Sequence, residues 1–525
     1  MTSIKKHIKI DFRSILIIIS VIVAYLIFWA HYPTYSFDSC WYISYLRHFI
    51  ADKPMYEWDI IHGWSLPVVL YLAYLIKPGY IGVQVVFSII YLLFCIYVFK
   101  TYDLFIKEKN KALDFIAIAV INILLIYSPI LWGYAHHIFP EFMAAAVFVI
   151  CAYYSYRAIV LNRDNSLSKK EIIKYNIIMC LLFLFAWFLK QSFAEFVLCM
   201  LFMIDAFLFI KNKKRIHILA FMLVIVVWLA SVKIWAGIVA EKPDTSVEAT
   251  TETTSSEKKD EKIVDINPLG VSARLRYFEL ESDDGNTIVN VLDDAGNPTD
   301  SFELSSSGLL FDCIKHAPKR LIRGFLDNYG VITNLYSIQA TEGKPIEWIY
   351  GNGPVQKNGI GNVWNNRSIT AENVLISYYH ISQPRDYFEE INSRKENLVS
   401  RGVDISLVDD YGYVSEDNAI LHLLAKTSLW VSATISFSLS NLLAPFIFLL
   451  FGVLFIVRRR EEYLLMSMVG LSSFVFIVSY LYIGLPLDRY AVPTYAVMTL
   501  YVLCFLAYII SRCLAFVFGK NQGEK

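Results

Sequence analysis

The sequence predicts an all-α polytopic membrane protein with about 10 transmembrane helices, interfacial helices and a small α+β segment outside the membrane. Three observations support this fold class: an apolar composition, a series of long apolar runs, and basic residues in alternate loops between the runs. Of the 525 residues, 56% are hydrophobic and 18% are charged, whereas soluble proteins have about 45–50% apolar and about 25% charged residues. A chain of this composition needs lipid as part of its solvent.

The charge balance excludes one class of partner. The chain has 47 basic and 47 acidic residues, and binding to nucleic acid needs clustered Lys and Arg side chains that displace counterions. We therefore expect no nucleic-acid partner.

Six of the eight cysteines lie in apolar runs, where a cysteine acts as a small buried hydrophobe. Only Cys40 and Cys313 are expected outside the membrane, which is weak support for a disulfide.

Ten apolar runs are long enough to cross about 30 Å of hydrocarbon. The first run follows a basic N-terminus and has no small-residue cleavage site after it, which indicates an uncleaved anchor helix. The run Trp64–Ile76 is too short to cross and is interpreted as a helix lying at the outer interface. The predicted spans are residues 14–30, 81–99, 115–133, 139–156, 172–189, 193–210, 216–239, 439–457, 463–483 and 495–516.

Basic residues fall in alternate loops, and this pattern orients the chain. If the N-terminus is cytoplasmic, every later inside loop is basic, as the positive-inside rule requires. We therefore expect a multi-pass protein of a bacterial plasma (inner) membrane with both termini in the cytoplasm. The residues behind this orientation are Lys5, Lys6, Lys9, Arg13, Lys100, Lys107, Lys109, Lys111, Arg157, Arg163, Lys169, Lys170, Lys211, Lys213, Lys214, Arg215, Arg458, Arg459 and Arg460.

The chain divides into four predicted regions. Residues 1–239 form an N-terminal transmembrane module that includes the first outer loop, residues 31–80, and residues 439–525 form a C-terminal transmembrane module. Residues 240–262 are rich in Thr, Ser, Glu and Lys and are predicted to be a disordered tether, because such a segment cannot bury enough apolar surface to order itself. Residues 263–438 are predicted to be an extracytoplasmic segment that includes an interfacial helix.

The extracytoplasmic segment carries a hairpin signal and three helical patterns. Thr287–Val291 and Ser301–Leu304 flank turn-forming residues at 293–298, which is typical of two paired strands. Helical patterns follow at residues 309–328, 386–399 and 417–436. The last pattern has His422 and Lys426 among apolar residues, so we expect it to lie along the interface rather than across the membrane.

Ionisable residues near hydrocarbon cost several kcal/mol, so their distribution is informative. Here they gather on the predicted outer side and come from five separate segments. Polarity of any interfacial loop is the simpler interpretation for one such residue, but the convergence of the set favours a shared site. The set is Asp38, Asp59, His62, His136, His137, Glu141, Lys190, Glu195, Lys233, Asp488 and Arg489.

The turn Leu189–Phe193 has no room for a solvated loop, so Lys190 needs an anion, and a lipid phosphate would serve.

Other polar residues of the apolar runs are interpreted as structural. Asp114 and His217 are placed at inner helix ends where their side chains reach water, and Asp205 lies near the basic cluster at Lys211. These three residues are assigned structural roles.

Five short motifs follow one another in a fixed order on the predicted outer side. They are Tyr35-Ser36-Phe37-Asp38-Ser39-Cys40-Trp41-Tyr42, Gly63-Trp64-Ser65-Leu66-Pro67, Ile138-Phe139-Pro140-Glu141, Leu189-Lys190-Gln191 and Asp488-Arg489-Tyr490-Ala491-Val492-Pro493. In this order and sidedness the chain resembles the C-type (GT-C) glycosyltransferase superfamily, polytopic enzymes that use a polyprenyl-phosphate-linked sugar on the non-cytoplasmic face. The resemblance covers residues 14–239 and those from 439 onward, and leaves the long outer segment unmatched.

The resemblance implies a role for each part of the site. Asp38 would act as the general base that takes the proton from an acceptor hydroxyl, giving inversion in one displacement. Lys190 and Arg489 would stabilise the leaving phosphate, and Glu141 would be a second catalytic residue that orients the acceptor. The remaining predicted substrate-binding residues are His136, His137, Gln191, Tyr490, Asp59 and His62.

Two questions stay open at the level of sequence. Asp38 and Glu141 are an alternative pair of ligands for a divalent cation such as Mg²⁺ or Mn²⁺, but Ser39 and Cys40 stand where many family members have a second acid. The function also has rivals. One is a polymerase of surface polysaccharide, expected to use outer-loop arginines, and the other is a transporter, expected to show inverted repeats, discontinuous helices and midplane ionisable residues, none of which the sequence predicts. The resemblance implies a part in glycan synthesis at the cell envelope. It leaves open whether the acceptor is a glycan, a lipid or a protein.

Overall fold

The structure is a computed structural model that describes residues 11–29, 42, 63–78, 80–107, 110–213, 216–240, 275, 277–283, 286–293, 297–305, 308–333, 439–480 and 488–519. Of these residues, 83% are helical, and three strands among them form a small sheet. Among the described residues, six helices are long and apolar enough to cross a membrane. This is the architecture of a polytopic helical membrane protein.

The helices follow the predicted apolar runs closely. We number them α1 (Phe12–Phe28), α2 (Ser65–Ile76), α3 (Tyr80–Phe105), α4 (Lys111–Ile121), α5 (Pro129–Ala135), α6 (Pro140–Arg163), α7 (Lys169–Leu189), α8 (Gln191–Asn212), α9 (Ile216–Ala240), α10 (Leu309–His316), α11 (Pro318–Thr333), α12 (Leu439–Leu442), α13 (Ala444–Arg458), α14 (Glu461–Val478) and α15 (Val492–Gly519). The six long candidates are α3, α6, α7, α8, α14 and α15. Helices α1, α2 and α13 and the stretch His217–Ser231 of α9 are shorter apolar segments. The predicted number of ten spans therefore stays a prediction.

Helix α6 is the centre of the bundle. Nearly every residue of its first three turns is buried, including the consecutive small residues Ala144, Ala145 and Ala146. Small side chains let neighbouring helices approach closely where lipid provides no hydrophobic drive for association. Phe148 of α6 stacks on Phe196 of α8 with ring centroids 4.0 Å apart. Helices α3, α7, α8 and α15 all pack against α6, so the N-terminal and C-terminal halves share one core.

The predicted span at residues 115–133 is wrong as a single helix. After α4 the chain forms a π-helical turn, Asn122–Ile126, and then leaves the helix until α5 begins at Pro129. Pro129 has no N–H to donate, and a proline disfavours helical geometry in the residue before it, here Ser128. A discontinuous helix was not expected, because the stretch was counted as one span on its length and overall hydropathy and the Ser128-Pro129 pair within it was not weighed.

The interruption leaves backbone carbonyls without the N–H donors that a continuous helix would provide. Tyrosine hydroxyls from other helices donate to these carbonyls instead. The Tyr495 hydroxyl donates to the Leu124 carbonyl at 2.6 Å, and the Tyr91 hydroxyl donates to the Ile126 carbonyl at 2.9 Å. Backbone polar groups inside hydrocarbon must be satisfied within the protein. The break is therefore a closed, hydrogen-bonded feature of the core.

The helices alternate in direction, which gives the bundle two ends. We call the Lys190 end the one with the α5–α6 junction, the α7–α8 turn, the end of α14 and a 3₁₀ turn, Asp488–Ala491. The opposite end, called the Arg163 end, has the α6–α7, α8–α9 and α13–α14 connections.

The small sheet lies in the segment between the two transmembrane modules. Strands β1 (Phe278–Asp283), β2 (Asn286–Leu292) and β3 (Pro298–Glu303) are antiparallel in the order β1-β2-β3. In the register, Phe278 is opposite Val291 and Val289 is opposite Phe302. The hairpin predicted around residues 293–298 is confirmed as β2–β3.

Helices α10 and α11 pack on this sheet and form a small hydrophobic core with it. Val289 and Val291 pack with Leu309, Cys313 and Leu321 from the two helices. Burial, with the neighbouring charge of Asp312 as a smaller cause, raises the pKa of the Cys313 thiol to about 12, so this thiol is unreactive at neutral pH. The predicted helix at 309–328 is divided at Pro318. The predicted patterns at 386–399 and 417–436, and residues 241–262 of the predicted tether, lie outside the described residues.

Candidate functional site

Lys190 is held at one end of the bundle by a turn of minimal length. It ends α7 and precedes α8, with extended backbone angles of φ −166° and ψ 132°. Its N–H donates to the Ala186 carbonyl at 3.0 Å, and its carbonyl accepts from the Phe193 N–H at 2.9 Å. With both backbone groups in use, the side chain leaves the turn from a fixed position.

The Lys190 ammonium lies against two tyrosine rings. Nζ is 3.9 Å from the ring centroid of Tyr490 and 5.0 Å from that of Tyr480. The two rings stack on each other at 4.5 Å with an interplanar angle of 18°. Within the described part of the chain, the contacts found for the ammonium are with these rings and not with a carboxylate. The site thus holds a cation by π faces, which stabilise the charge without neutralising it.

Tyr480 connects this lysine to neighbouring polar groups. Its ring is buried, and its hydroxyl is hydrogen-bonded to the Ser192 hydroxyl in the first turn of α8. Glu195 and Glu141 lie near enough for their charges to act on Tyr480. Glu141 is 2% exposed in the first turn of α6, where the helix N-terminus favours a carboxylate. We call Lys190, Tyr480, Tyr490, Ser192, Glu195 and Glu141 the Lys190 cluster.

Two members of the cluster were missed in the sequence analysis. Ser192 was part of the short turn that drew attention to Lys190, and this was the only signal for it. Tyr480 falls in the last part of an apolar run and resembles an ordinary interfacial aromatic residue. Its proximity to Lys190 depends on the tertiary fold, which neither hydrophobic periodicity nor motif spacing predicts.

Two of the three predicted histidines, His136 and His137, are buried among aromatic rings. His136 stacks on Phe28 with centroids 4.0 Å apart, and its ring nitrogens lie 3.0 Å from the carbonyls of Trp132 and Phe28. It therefore joins α1 to α5, a structural role. His137 is fully buried and stacks on Phe139 at 4.7 Å. Contact of either ring with substrate stays a prediction.

The motif that begins at Gly63 meets the end of α7 directly before Lys190. A Cβ atom on Gly63 would lie 2.0 Å from the Phe188 carbonyl oxygen and 2.6 Å from that of Leu189. Glycine is required there, because the backbone approaches the helix end too closely for any side chain. The Ser65 hydroxyl also donates to the Phe185 carbonyl at 2.9 Å. Two of the sequence motifs are thus brought together.

Several predicted site residues are beyond the described part of the structure. Asp38, Asp59 and His62 lie outside the described residues, and so does the side chain of Arg489, although its backbone is in the 3₁₀ turn next to Tyr490. Gln191 begins α8, and its buried Oε1 makes no hydrogen bond with the described residues. The roles predicted for these residues stay predictions.

The predicted metal site also includes a residue that the structure does not describe. Within the described ranges, no three His, Cys, Asp or Glu side chains are grouped closely enough to hold an ion. Glu141 is described, but its predicted partner Asp38 is not. A divalent cation bound by these two residues therefore stays a prediction.

Several charged side chains at the Arg163 end have carboxylate or imidazole partners. Arg13 Nε donates to Asp114 Oδ1 at 2.8 Å, and the Tyr102 hydroxyl donates to the same oxygen at 2.8 Å. His217 Nδ1 is 3.3 Å from Asp205 Oδ1 and joins α9 to α8. The expectation that Asp114 and His217 reach water is wrong, since they are 2% and 0% exposed. Partners from other helices enclose them, and their structural role follows from those contacts.

More exposed ion pairs surround the helix ends nearby. Lys211 Nζ is 2.7 Å from Glu461 Oε1, and Arg163 Nη1 is 3.2 Å from Glu462 Oε1. Asp205, which the sequence placed near the Lys211 cluster, pairs with His217 instead, while Lys211 pairs across to α14. These contacts connect α6, α8 and α14.

Comparison with known proteins gives no relative: no protein-family model matches the chain, no curated protein matches it, and no solved structure matches its fold. A function for this chain must therefore be argued from its own residues. The Lys190 cluster and the motifs next to it provide the strongest basis for doing so.

Proposed function

We propose that the chain is an integral membrane glycosyltransferase that transfers a sugar from a polyprenyl-phosphate carrier to an acceptor at the extracytoplasmic face. The main support is the position of the Lys190 ammonium against two stacked tyrosine rings at a boundary of the apolar bundle. A lysine at such a depth is costly unless an anion accompanies it. The phosphate of a lipid-linked donor meets that requirement.

The π-face environment matters for catalysis as well as for binding. A carboxylate at 3–4 Å would neutralise the lysine permanently, and a phosphate would then have to displace it, whereas the rings of Tyr480 and Tyr490 leave the full charge available. Charge on the leaving phosphate increases as the glycosidic bond breaks. A cation fixed there stabilises the transition state more than the ground state.

The proposed reaction is a single displacement. Asp38 takes the proton of the acceptor hydroxyl as its oxygen forms a bond to the anomeric carbon. The bond between that carbon and the phosphate oxygen breaks, and the electron pair leaves with the polyprenyl phosphate. Lys190 and Arg489 hold the leaving group, so the products are the inverted glycoside and the lipid phosphate.

The other predicted residues have supporting parts in this proposal. Glu141 and His137, at the start of α6, are placed on the acceptor side, where a carboxylate orients a hydroxyl by hydrogen bonding. Gln191, Asp59 and His62 are assigned to hydroxyl groups of the donor sugar. Mg²⁺ or Mn²⁺ at Asp38 and Glu141 is the alternative, and activity measured with and without chelator distinguishes the two versions.

A transfer assay with a matched lysine control tests the proposal. Protein in liposomes is supplied with polyprenyl-phosphate-linked sugars, and the Lys190→Met and Arg489→Ala variants are compared with Lys211→Met, which removes an ion-paired lysine at the Arg163 end. We expect transfer to fall by about 10²-fold in each of the first two, because a preformed charge on the leaving group is lost. Lys211→Met should keep wild-type transfer.

The same assay addresses the rival functions. Equal loss in all three variants would remove the phosphate assignment. A ladder of long glycans that grows by polymer joining would instead support a polysaccharide polymerase, and accumulation of unreacted substrate inside the vesicles would support a transporter. Inversion is checked from the anomeric configuration of the product by NMR.

The proposal also requires the Lys190 end to face away from the cytoplasm. Single cysteines at Thr254 and Asn358 should be labelled from outside intact cells by a membrane-impermeant maleimide, while cysteines at Lys107, Lys214 and Arg459 should be protected until the membrane is opened. The basic loops support this orientation. Labelling of position 107 from outside would contradict it.

A further inference from the structure

Helices α10 and α11 each carry a second apolar face that the sheet does not cover. In α10, Leu309 and Cys313 are buried against the strands, whereas Leu310, Phe311 and Ile314 are 40%, 66% and 51% exposed. In α11, Leu321 is buried, whereas Ile322 and Leu326 are 58% and 64% exposed. Five large apolar side chains on two short helices need an explanation, since soluble surfaces rarely expose such residues together.

The exposed stripe of α11 leads to the helical bundle. Ile322, Leu326 and Tyr329 follow one another at helical spacing on one face. The Tyr329 hydroxyl donates to the carbonyls of Asn441 and Leu442 at 3.3 and 3.2 Å. Its ring also meets Phe474 of α14 edge-on, with centroids 6.4 Å apart. The stripe therefore arrives at the Lys190 end, at the level where α12 and α13 begin.

The apolar surface continues beyond this contact. Leu442 is 46% exposed, and on α13 the side chains of Phe446, Leu449 and Val453 are 63%, 59% and 59% exposed. These residues belong to an apolar helix of the bundle and face outward, as lipid-contacting residues do. The exposed face of α11 is therefore continuous with the outward-facing apolar surface of α13.

We propose that the exposed faces of α10 and α11 lie in the membrane leaflet at the Lys190 end, in contact with phospholipid at the boundary between headgroups and acyl chains. The helices have 8 and 16 residues and carry Lys315, Lys319, Arg320 and Arg323, so they are too short and too charged to cross the membrane. Amphipathic helices with a basic rim are typical of the interfacial location. Lys315 and Lys319 are exposed and suit anionic headgroups.

This placement does not depend on glycosyl transfer. It holds the sheet against the membrane surface and keeps α11 packed on the 3₁₀ turn that carries Tyr490. The sheet would then be a membrane-bound support beside the Lys190 cluster and not a freely tethered domain. The partner is a lipid surface, and the chemistry that recognises it is apolar contact with a cationic edge.

Spin-label accessibility in vesicles tests the proposal directly. Single cysteines replace Phe311, Ile322 or Leu326 in a protein whose native cysteines are changed to serine or alanine, and each is labelled with a nitroxide. Vesicles are made from phosphatidylcholine and phosphatidylglycerol. Glu303→Cys on exposed β3 is the water-facing control, and Leu449→Cys on α13 is the lipid-facing control.

We expect the three labels to match Leu449→Cys, with frequent collisions with oxygen and few with a water-soluble nickel chelate. Their ratio of oxygen to nickel collisions should exceed that of Glu303→Cys several-fold. Labels that match Glu303→Cys would overturn the proposal, because the faces would be in water. Labels shielded from both reagents would also overturn it, because another protein surface would then cover the faces.

Discussion

The ion pairs of Arg13 and Lys211 at the Arg163 end contrast with the ring contacts of Lys190 at the other end. Exposed Lys100, near the Arg163 end, also lies over a ring, 4.8 Å from the centroid of Tyr97. At the Arg163 end, Arg13 lies 2.8 Å from Asp114 and Lys211 lies 2.7 Å from Glu461. At the Lys190 end, the ammonium of Lys190 lies 3.9 Å from the centre of a tyrosine ring. A cation paired with a carboxylate stabilises the fold and has little charge left for a ligand. A cation held by aromatic rings keeps its charge, which is the property that a phosphate-binding site needs.

The energetic consequences of the two arrangements also differ. Arg13 and Asp114 are both buried, and removing one partner of a buried pair costs about 3–5 kcal/mol because the other charge is left uncompensated. Pairs nearer the surface contribute about 0–1 kcal/mol. Changes at the Arg163 end should therefore appear as lost stability, and changes at the Lys190 end as lost activity.

The largest effect on activity is expected for Asp38→Asn. The substitution keeps the size of the side chain but removes the basic lone pair, so transfer should fall by about 10²-fold or more while expression and donor binding stay near normal. The measurement is transfer from a polyprenyl-phosphate-linked sugar in liposomes.

Asp52→Asn is the matched control, because Asp52 is an acidic residue of the same predicted loop and has no role assigned in the site. If both carboxylates were ordinary solvated loop residues, the two variants would behave alike, and equal activity would end the assignment of Asp38. Activity that disappears on adding chelator to the wild type would move the role of Asp38 to metal binding with Glu141.

The next largest effect concerns stability at the opposite end. Arg13→Met should lower the free energy of unfolding by about 3 kcal/mol, because Asp114 would remain buried with, among the described residues, the Tyr102 hydroxyl as its one side-chain donor. Thermal unfolding in detergent, followed by circular dichroism, should show a clear decrease in Tm. The surviving folded protein should transfer sugar at the wild-type rate, and a specific loss of transfer would contradict the division of roles between the ends.

The smallest effect is expected for Lys211→Met. Its side chain is 43% exposed, so the pair with Glu461 is screened by water, and Glu461 keeps Arg163 at 3.9 Å. We expect a loss of about 1 kcal/mol or less and a Tm close to that of the wild type. A decrease as large as that of Arg13→Met would show that exposure is a poor guide to the ion pairs of this end.

The sequence predicted the helical positions well because apolar runs carry that information directly. The interruption between Asn122 and Pro129 was missed because the run was counted as one span on its overall hydropathy, although Ser128 and Pro129 within it are residues that disfavour a continuous helix. The selection of Lys190 as a site residue came from the length of its turn, and its role in binding a phosphate stays a prediction. The placement of Asp114 in water was wrong because its partner Arg13 is 101 residues away in the sequence.

The same limit applies to the candidate site. Lys190 and Tyr490 were both selected from sequence, but their contact and the stacking with Tyr480 depend on how α14 packs against α8. A partner distant along the chain leaves no trace in local pattern. The base assigned to Asp38 remains a prediction because that residue lies outside the described part of the chain.

The position of α15 has a consequence for biosynthesis. This last helix packs along α6, the centre of the bundle, and its Tyr495 provides the hydrogen bond for the Leu124 carbonyl in the broken segment. Both earlier elements leave the ribosome several hundred residues before Tyr495 does. During that interval the insertion machinery must shelter a helix with few lipid-facing residues and a carbonyl without its final donor, so the bundle closes only when the C-terminal end of the chain arrives.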